Sequence, residues 1–185
     1  VGVQDQILAA YGNFNKIELN QDDSFNVIPV TLNPERLISL QNHFMLCFTG
    51  VTRIASDVVV AQLDNIKNVS SHYIKIRELV EEALSVLKKP NTPIIEIGKL
   101  LHESWLLKRE LSSTITNPEI DSIYQAGLDA GAIGGKILGA GSGGFILFFA
   151  QPEVHPIIRE KLKHLIQVPF KFEPTGSKIV LYEPN

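Results

Sequence analysis

Cysteine is almost missing from this 185-residue chain: Cys47 stands alone, inside "HFMLCFTG". One thiol forms no internal disulfide, and its apolar setting reads as a buried strand with an inert core cysteine, which fits a reducing cytoplasm. Long apolar runs are missing too. None approaches the ~20 residues that span a bilayer, and no charged-then-apolar leader opens the chain, so neither a membrane partner nor export is expected. Charge of one sign is lacking: 17 basic against 20 acidic side chains give −3, and no basic block extends beyond Lys88-Lys89, which argues against nucleic acid as a partner. The histidines at 43, 72, 155 and 164 are scattered, with no pair at metal-ligand spacing beside a carboxylate, so no transition-metal site is expected. An initiator methionine is also missing. The chain opens at Val1, and "VGVQDQILAAYG" already reads as the interior of a fold, which suggests a fragment of something longer.

What is there reads as globular, 44% apolar and 20% charged. Residues 1–12 suggest a glycine turn and a short helix, followed by two strands, "NKIELN" and "FNVIPVTL", around the polar turn "QDDS". Asn33-Pro34-Glu35 resembles a cap and first helical position, so "PERLISLQ" forms a helical turn leading into the strand "HFMLCFTG". Four helices are expected next. The first covers residues 52–68. The second has Tyr73, Ile76, Leu79, Val80, Ala83 and Leu87 on one face. The third runs near 94–111, and the fourth opens at Asn117-Pro118-Glu119. The strand "FILFFA", a helix entered through Gln151-Pro152-Glu153, and two strands in "VPFKFEP" and "KIVLYEP" complete the chain. This order predicts an α+β fold with helices on one face of a largely antiparallel sheet, ferredoxin-like from residue 38 on with inserted helices.

One segment resists such bland reading. "GGKILGAGSGGF", residues 134–145, places six glycines in twelve positions directly before the apolar run. Glycine loses more backbone freedom on folding than any other residue, so the cluster implies left-handed angles or close approach of backbone to something else. It is not a Walker loop, because the only nearby lysine, Lys136, precedes the glycines. It is not a dinucleotide fingerprint either, because a strand follows where a helix must receive the pyrophosphate. Successive N–H groups in alternating turns form an anion-binding nest without any helix. The alternative is a glycine-rich hairpin packed on a neighbouring loop.

"GGKILGAGSGGFILFF" resembles the third motif of the GHMP kinases, the small-molecule kinases named for galactokinase, homoserine kinase, mevalonate kinase and phosphomevalonate kinase. "GVQDQ" at 2–6 looks like that family's Gly-x-x-Asp-Gln segment. "LHESWLLKRELSS", "ITNPEIDSIYQAGLDAGAIGGK" and "VPFKFEPTGSKIV" are similar to its sugar-phosphate branch, closest to the D-glycero-D-manno-heptose 7-phosphate kinases. The resemblance implies a remnant of the N-terminal, ribosomal-protein-like kinase lobe over residues 1–37 and the C-terminal kinase domain over 38–185. The first two motifs, with the loop that wraps ATP phosphates, would precede Val1. A missing N-terminal lobe is therefore an implied partner, ATP and Mg²⁺ are implied cofactors, and the usual Mg²⁺ ligands would lie in that lobe.

The resemblance also suggests roles for individual residues. Gly139, Ala140, Gly141, Ser142 and Gly143 would line the active-site cleft. Asp5 would take, or electrostatically prepare, the proton of the sugar hydroxyl; read alone, it is a helix-capping aspartate. Gln4 and Gln6 would hold substrate hydroxyls, or are exposed amides. Arg53 follows a strand, where its guanidinium would grip a phosphate bidentately, or is an ordinary surface arginine. His102, Trp105 and Lys108 share one helical face, with Trp105 in the core and the other two reaching a sugar phosphate or walling the cleft. Lys136 would meet a phosphate from the loop's rim, or is solvated. The reaction implied is phosphorylation of a heptose 7-phosphate at its anomeric hydroxyl. The rivals are another sugar, of fucose or galactose type, and a non-catalytic ferredoxin-like binding or dimerisation module. Apolar surface from Ile7, Leu8, Ile28 and Val30 is expected to invite self-association, and a homodimer is possible on that ground.

Overall fold

The computed structural model describes residues 3–51, 60, 62 and 65–181. They divide into two compact units, Val1–Leu32 with Lys171–Asn185, and Asn33–Phe170.

In the first unit, helix α1 (Gln4–Tyr11) leads into an antiparallel hairpin of β1 (Asn15–Leu19) and β2 (Phe25–Pro29), in register from Asn15↔Pro29 to Leu19↔Phe25. The turn between the strands is held by Asp22, whose carboxylate accepts from the Ser24 amide at 3.1 Å and hydroxyl at 2.6 Å. These bonds favour the carboxylate and lower its pKa. Helix α1 stops at Gly12, with φ +61, and a Cβ there would meet the backbone of Thr175 and Gly176. Residues 173–177 thus return to α1, with the Asn13 amide donating to the Glu173 carbonyl at 2.9 Å and Phe172 tilted against Phe14. Part of the expected exposed surface is corrected: Ile7 and Val30 are buried, each 6% exposed, while Leu8 and Ile28 remain 40% exposed.

The second unit opens with α2 (Pro34–His43), a full helix rather than one turn, capped by Asn33 accepting from the Glu35 amide at 2.8 Å. It runs directly into β3 (Phe44–Phe48). The expected helix over 52–68 lies largely outside the described residues. Three helices follow: α3 (Ser70–Lys88), α4 (Ile95–Arg109) and α5 (Pro118–Asp129). Strands β4 (Gly134–Ile137) and β5 (Phe145–Phe149), a short 3₁₀ turn, α6 (His155–Lys161) and β6 (Ile166–Val168) complete it.

The sheet order is β4-β5-β3-β6, with every pair antiparallel. That is the ferredoxin-like order, with α3, α4 and α5 together occupying the first crossover. The core lies between sheet and helices, where Cys47, Trp105, Ile120, Ile137, Ile146, Phe148 and Ile158 are at most 1% exposed. Alternation in β3 sends Met45 and Cys47 to that face, and burial pushes the Cys47 thiol up to about 11, as befits an inert core residue. Arg36 on α2 closes the far end of α3 by donating to the carbonyls of Val86 at 2.6 Å and Leu87 at 2.8 Å, a cation set at a helix C-terminus.

Two strand expectations are corrected. Strand β4 lies inside the glycine stretch, and the two terminal strands reduce to three residues. Pro169 has no N–H for a ladder, which stops "VPFKFEP" at Val168, and Ile179, Val180 and Leu181 belong to no strand and are 78–96% exposed.

Candidate active site

The glycine stretch does two jobs in succession. Its first four residues form β4, which lies so close to α4 that a Cβ on Gly134 would strike the Gly98 carbonyl and the His102 backbone. Residues 138–144 then form the loop between β4 and β5.

That loop is fastened from three sides. The Ser142 amide donates to the Ile115 carbonyl at 2.7 Å, and its hydroxyl to the Thr114 carbonyl. Ser142 sits in the left-handed region at φ +60 and is 8% exposed. The Gly144 amide donates to the Val51 carbonyl at 2.7 Å, and the Gly144 carbonyl accepts from both the amide and hydroxyl of Thr49 at 2.9 Å. At Gly141, with φ +127, a Cβ would lie 2.6 Å from the Ile115 carbonyl.

Side chains hold the remaining carbonyls. Lys108 Nζ donates to Gly139 O at 2.5 Å, Gln62 Nε2 to Ala140 O at 3.2 Å, and Asn117 Nδ2 to Ser142 O at 3.2 Å. In a planar trans peptide the N–H points opposite to the C=O. Capturing these three carbonyls therefore turns the N–H groups of Ala140, Gly141 and Gly143 the other way, where they have no acceptor among the described residues. One side of the loop is thus packed on neighbouring loops, while the Ala140, Gly141 and Gly143 amides are left without a protein acceptor among the described residues.

Lys108, in the last turn of α4, and Lys136, on β4, are half-buried beside this loop. Burial pushes the Lys108 ammonium down to about 8, with the charge of Lys136 adding to the shift, and burial lowers Lys136 as well. Among the described residues no carboxylate lies within ion-pair distance of either. Two like charges partly withdrawn from water, next to unpaired N–H groups, favour a bound anion.

His102 shares the α4 face but turns to the core. Its Nδ1 lies 2.6 Å from Tyr124 Oη, the rings stack at 6.0 Å, and burial pushes the Tyr124 phenol up to about 12, so that it stays neutral. Trp105, fully buried, is a core residue as expected.

Gln4, Asp5 and Gln6 form the exposed first turn of α1, in the first unit. Asp5 does not cap that helix: the cap position is Val3, with no side-chain cap bond. Arg53 lies outside the described residues. The sequence reading thus brings Lys108, Lys136 and residues 139–143 to one place, but it missed Thr49, Gln62 and the 112–117 segment that shape the loop. Asn117 carried a signal, read only as the opening of a helix; its side chain both caps α5, accepting from the Ile120 amide at 3.0 Å, and holds Ser142.

Residues 78–165 match the family profile described as GHMP kinases C terminal. The chain is 32% identical, over 156 residues, to the D-glycero-alpha-D-manno-heptose 7-phosphate kinase of Campylobacter jejuni, a match spanning 82% of this chain and 44% of that protein. It is 28% identical over 178 residues to the bifunctional fucokinase/GDP-fucose pyrophosphorylase of Arabidopsis thaliana, spanning 90% of this chain and 16% of the relative. Among solved structures, L. major mevalonate kinase in complex with R-mevalonate shares the fold with a TM-score of 0.69 at 19% identity, over 94% of this chain and 53% of that one. The chain therefore spans about half or less of the length of these relatives. The glycine loop lies within the matched segment, and residues 78–165 belong to the GHMP kinase C-terminal family.

Proposed function

We propose that the chain is the C-terminal part of an ATP-dependent sugar kinase that phosphorylates D-glycero-D-manno-heptose 7-phosphate at its anomeric hydroxyl, on the way to an activated sugar for surface polysaccharide. The observation that carries this reading is the pair of half-buried lysines, Lys108 and Lys136, with no carboxylate at ion-pair distance among the described residues, beside a loop whose Ala140, Gly141 and Gly143 amides have no acceptor there. Such a site suits phosphates. Phosphoryl transfer passes through a loose transition state, so positioning and charge neutralisation supply most of the catalysis.

In this reading Gly139, Ala140, Gly141, Ser142 and Gly143 offer backbone donors to phosphate oxygens, and Lys108 and Lys136 neutralise charge. Arg53 contributes to the acceptor's phosphate site and Gln4 and Gln6 hold its hydroxyls, while His102, paired with Tyr124, walls the cleft rather than reaching the phosphate. Asp5 takes the hydroxyl proton, or prepares it electrostatically, as the oxygen attacks the γ-phosphorus. Its carboxylate stands in the exposed first turn of α1. Mg²⁺ would travel with the nucleotide and offset phosphate charge. In this reading its ligands come from the N-terminal lobe. That lobe is the implied partner, and the 185 residues alone are expected to be inactive. A cytoplasmic setting is part of the same proposal.

Similarity to the plant fucokinase keeps a free sugar as the second reading. The test is transfer from ATP by the enzyme that contains this chain, wild type beside Asp5→Asn. Turnover of the heptose phosphate that drops ~10²-fold in the variant is expected, since a positioned base contributes 10²–10⁴. Unchanged turnover in the variant would remove Asp5 from the chemistry.

A further inference from the structure

Ser142 is the one loop residue whose amide, hydroxyl and carbonyl are all engaged by a single neighbouring segment: the Ile115 and Thr114 carbonyls accept from it, and the Asn117 amide donates to it. The first two contacts fix the residue's position. The third fixes the plane of the peptide joining Ser142 to Gly143, because that carbonyl would otherwise be free to rotate outward. Gly143 provides no side chain to resist such a rotation, and a Cβ there would strike the Val51 carbonyl, so no larger residue is available to do so.

Asn117 accepts from the Ile120 amide through Oδ1 and donates to Ser142 through Nδ2, so one planar amide joins the start of α5 to the loop. Helix α5 is itself anchored, with Ile120 fully buried and Asp121 held by Thr116 at 2.6 Å and Arg109 at 3.1 Å. We propose that Asn117 is a positioning residue: it transmits the rigidity of α5 to the glycine loop, and by holding Ser142 O inward it turns the Gly143 N–H toward the phosphate-binding side. A cap alone would need only the oxygen. The amide nitrogen, which aspartate and serine lack, is what reaches the loop.

The inference rests on the proposed phosphate role of the loop only for its functional consequence, and the two are separable. Asn117→Asp and Asn117→Ser both keep a good cap acceptor and remove the donor. In the 185-residue chain, amide hydrogen exchange should become at least tenfold faster at Ser142 in both variants and stay within about twofold at Ile120, with a shifted Gly143 amide resonance. Exchange at Ser142 within twofold of wild type in both variants overturns the positioning role. So does a parallel loss of protection at Ser142 and Ile120, which would make Asn117 only a cap. In the intact kinase, the same variants should lower kcat at least tenfold with less than a threefold change in the sugar's KM. Faster Ser142 exchange with unchanged kcat would leave the positioning intact and instead refute the loop's part in phosphate transfer.

Discussion

At the scale of single residues, Lys108 and Lys136 make the sharpest predictions. A lysine with a lowered folded pKa is penalised in the folded state while charged. For Lys108 that penalty is complete below about pH 8 and is relieved as pH rises from about 8 toward the ordinary value of 10.5. Its contribution to stability therefore rises with pH across that window, and Lys136 adds in the same direction. Chemical denaturation from pH 7 to 10.5 should show this slope in the wild type and a reduced slope in Lys108→Met. An anion that pairs with both ammonium groups should reverse the effect. Inorganic phosphate should raise the melting temperature more at pH 7 than at pH 10, with the difference lost in Lys108→Met/Lys136→Met. Equal stabilisation at both pH values would mean that the lysines do not hold the anion. Gly134→Ala is predicted to cost about 1–3 kcal/mol in urea unfolding, because its Cβ would meet backbone on α4 rather than a flexible chain end.

At the scale of elements, much of the second unit was legible in the sequence. The stripes of α3, α4 and α5 and the apolar β3 and β5 read correctly because each buries one face of a regular element. Strand β4 was not legible, because "GGKI" looks like a turn by composition. Its glycines serve packing against α4, a tertiary requirement that no local pattern reveals. The terminal strands were over-read for the opposite reason, since "KIVLY" has strand composition but no described partner strand. The loop's unpaired N–H groups were also hidden, because they depend on Lys108, Gln62 and Asn117 reaching it from 25 or more residues away in sequence. Phe148 shows how tightly the elements interlock: it is fully buried, stacks on Tyr124 at 6.2 Å, and fills the space that a Cβ on Gly127 would need. Phe148→Ala should cost about 3–5 kcal/mol by urea unfolding. A loss under 1 kcal/mol would mean that β5 is not central to the core.

At the scale of the whole molecule, the resemblance carried by "GGKILGAGSGGFILFF" and the profile match over residues 78–165 agree on the family, whereas the local pattern alone reached no further than an α+β globular chain. In the first unit Leu8, Tyr11, Phe25 and Ile28 are each at least 40% exposed. Concentration-dependent self-association by light scattering is the expected behaviour of the 185 residues, and a monomer at every concentration would contradict it. The measurement that bears most directly on function is phosphate transfer from ATP by the enzyme containing this chain, across D-glycero-D-manno-heptose 7-phosphate, the unphosphorylated heptose, fucose and galactose. Efficient transfer to the heptose 7-phosphate, with little to the free sugars, is the predicted result. Efficient transfer to fucose or galactose with none to the heptose phosphate would contradict the proposed substrate and leave Lys108 and Lys136 to the nucleotide.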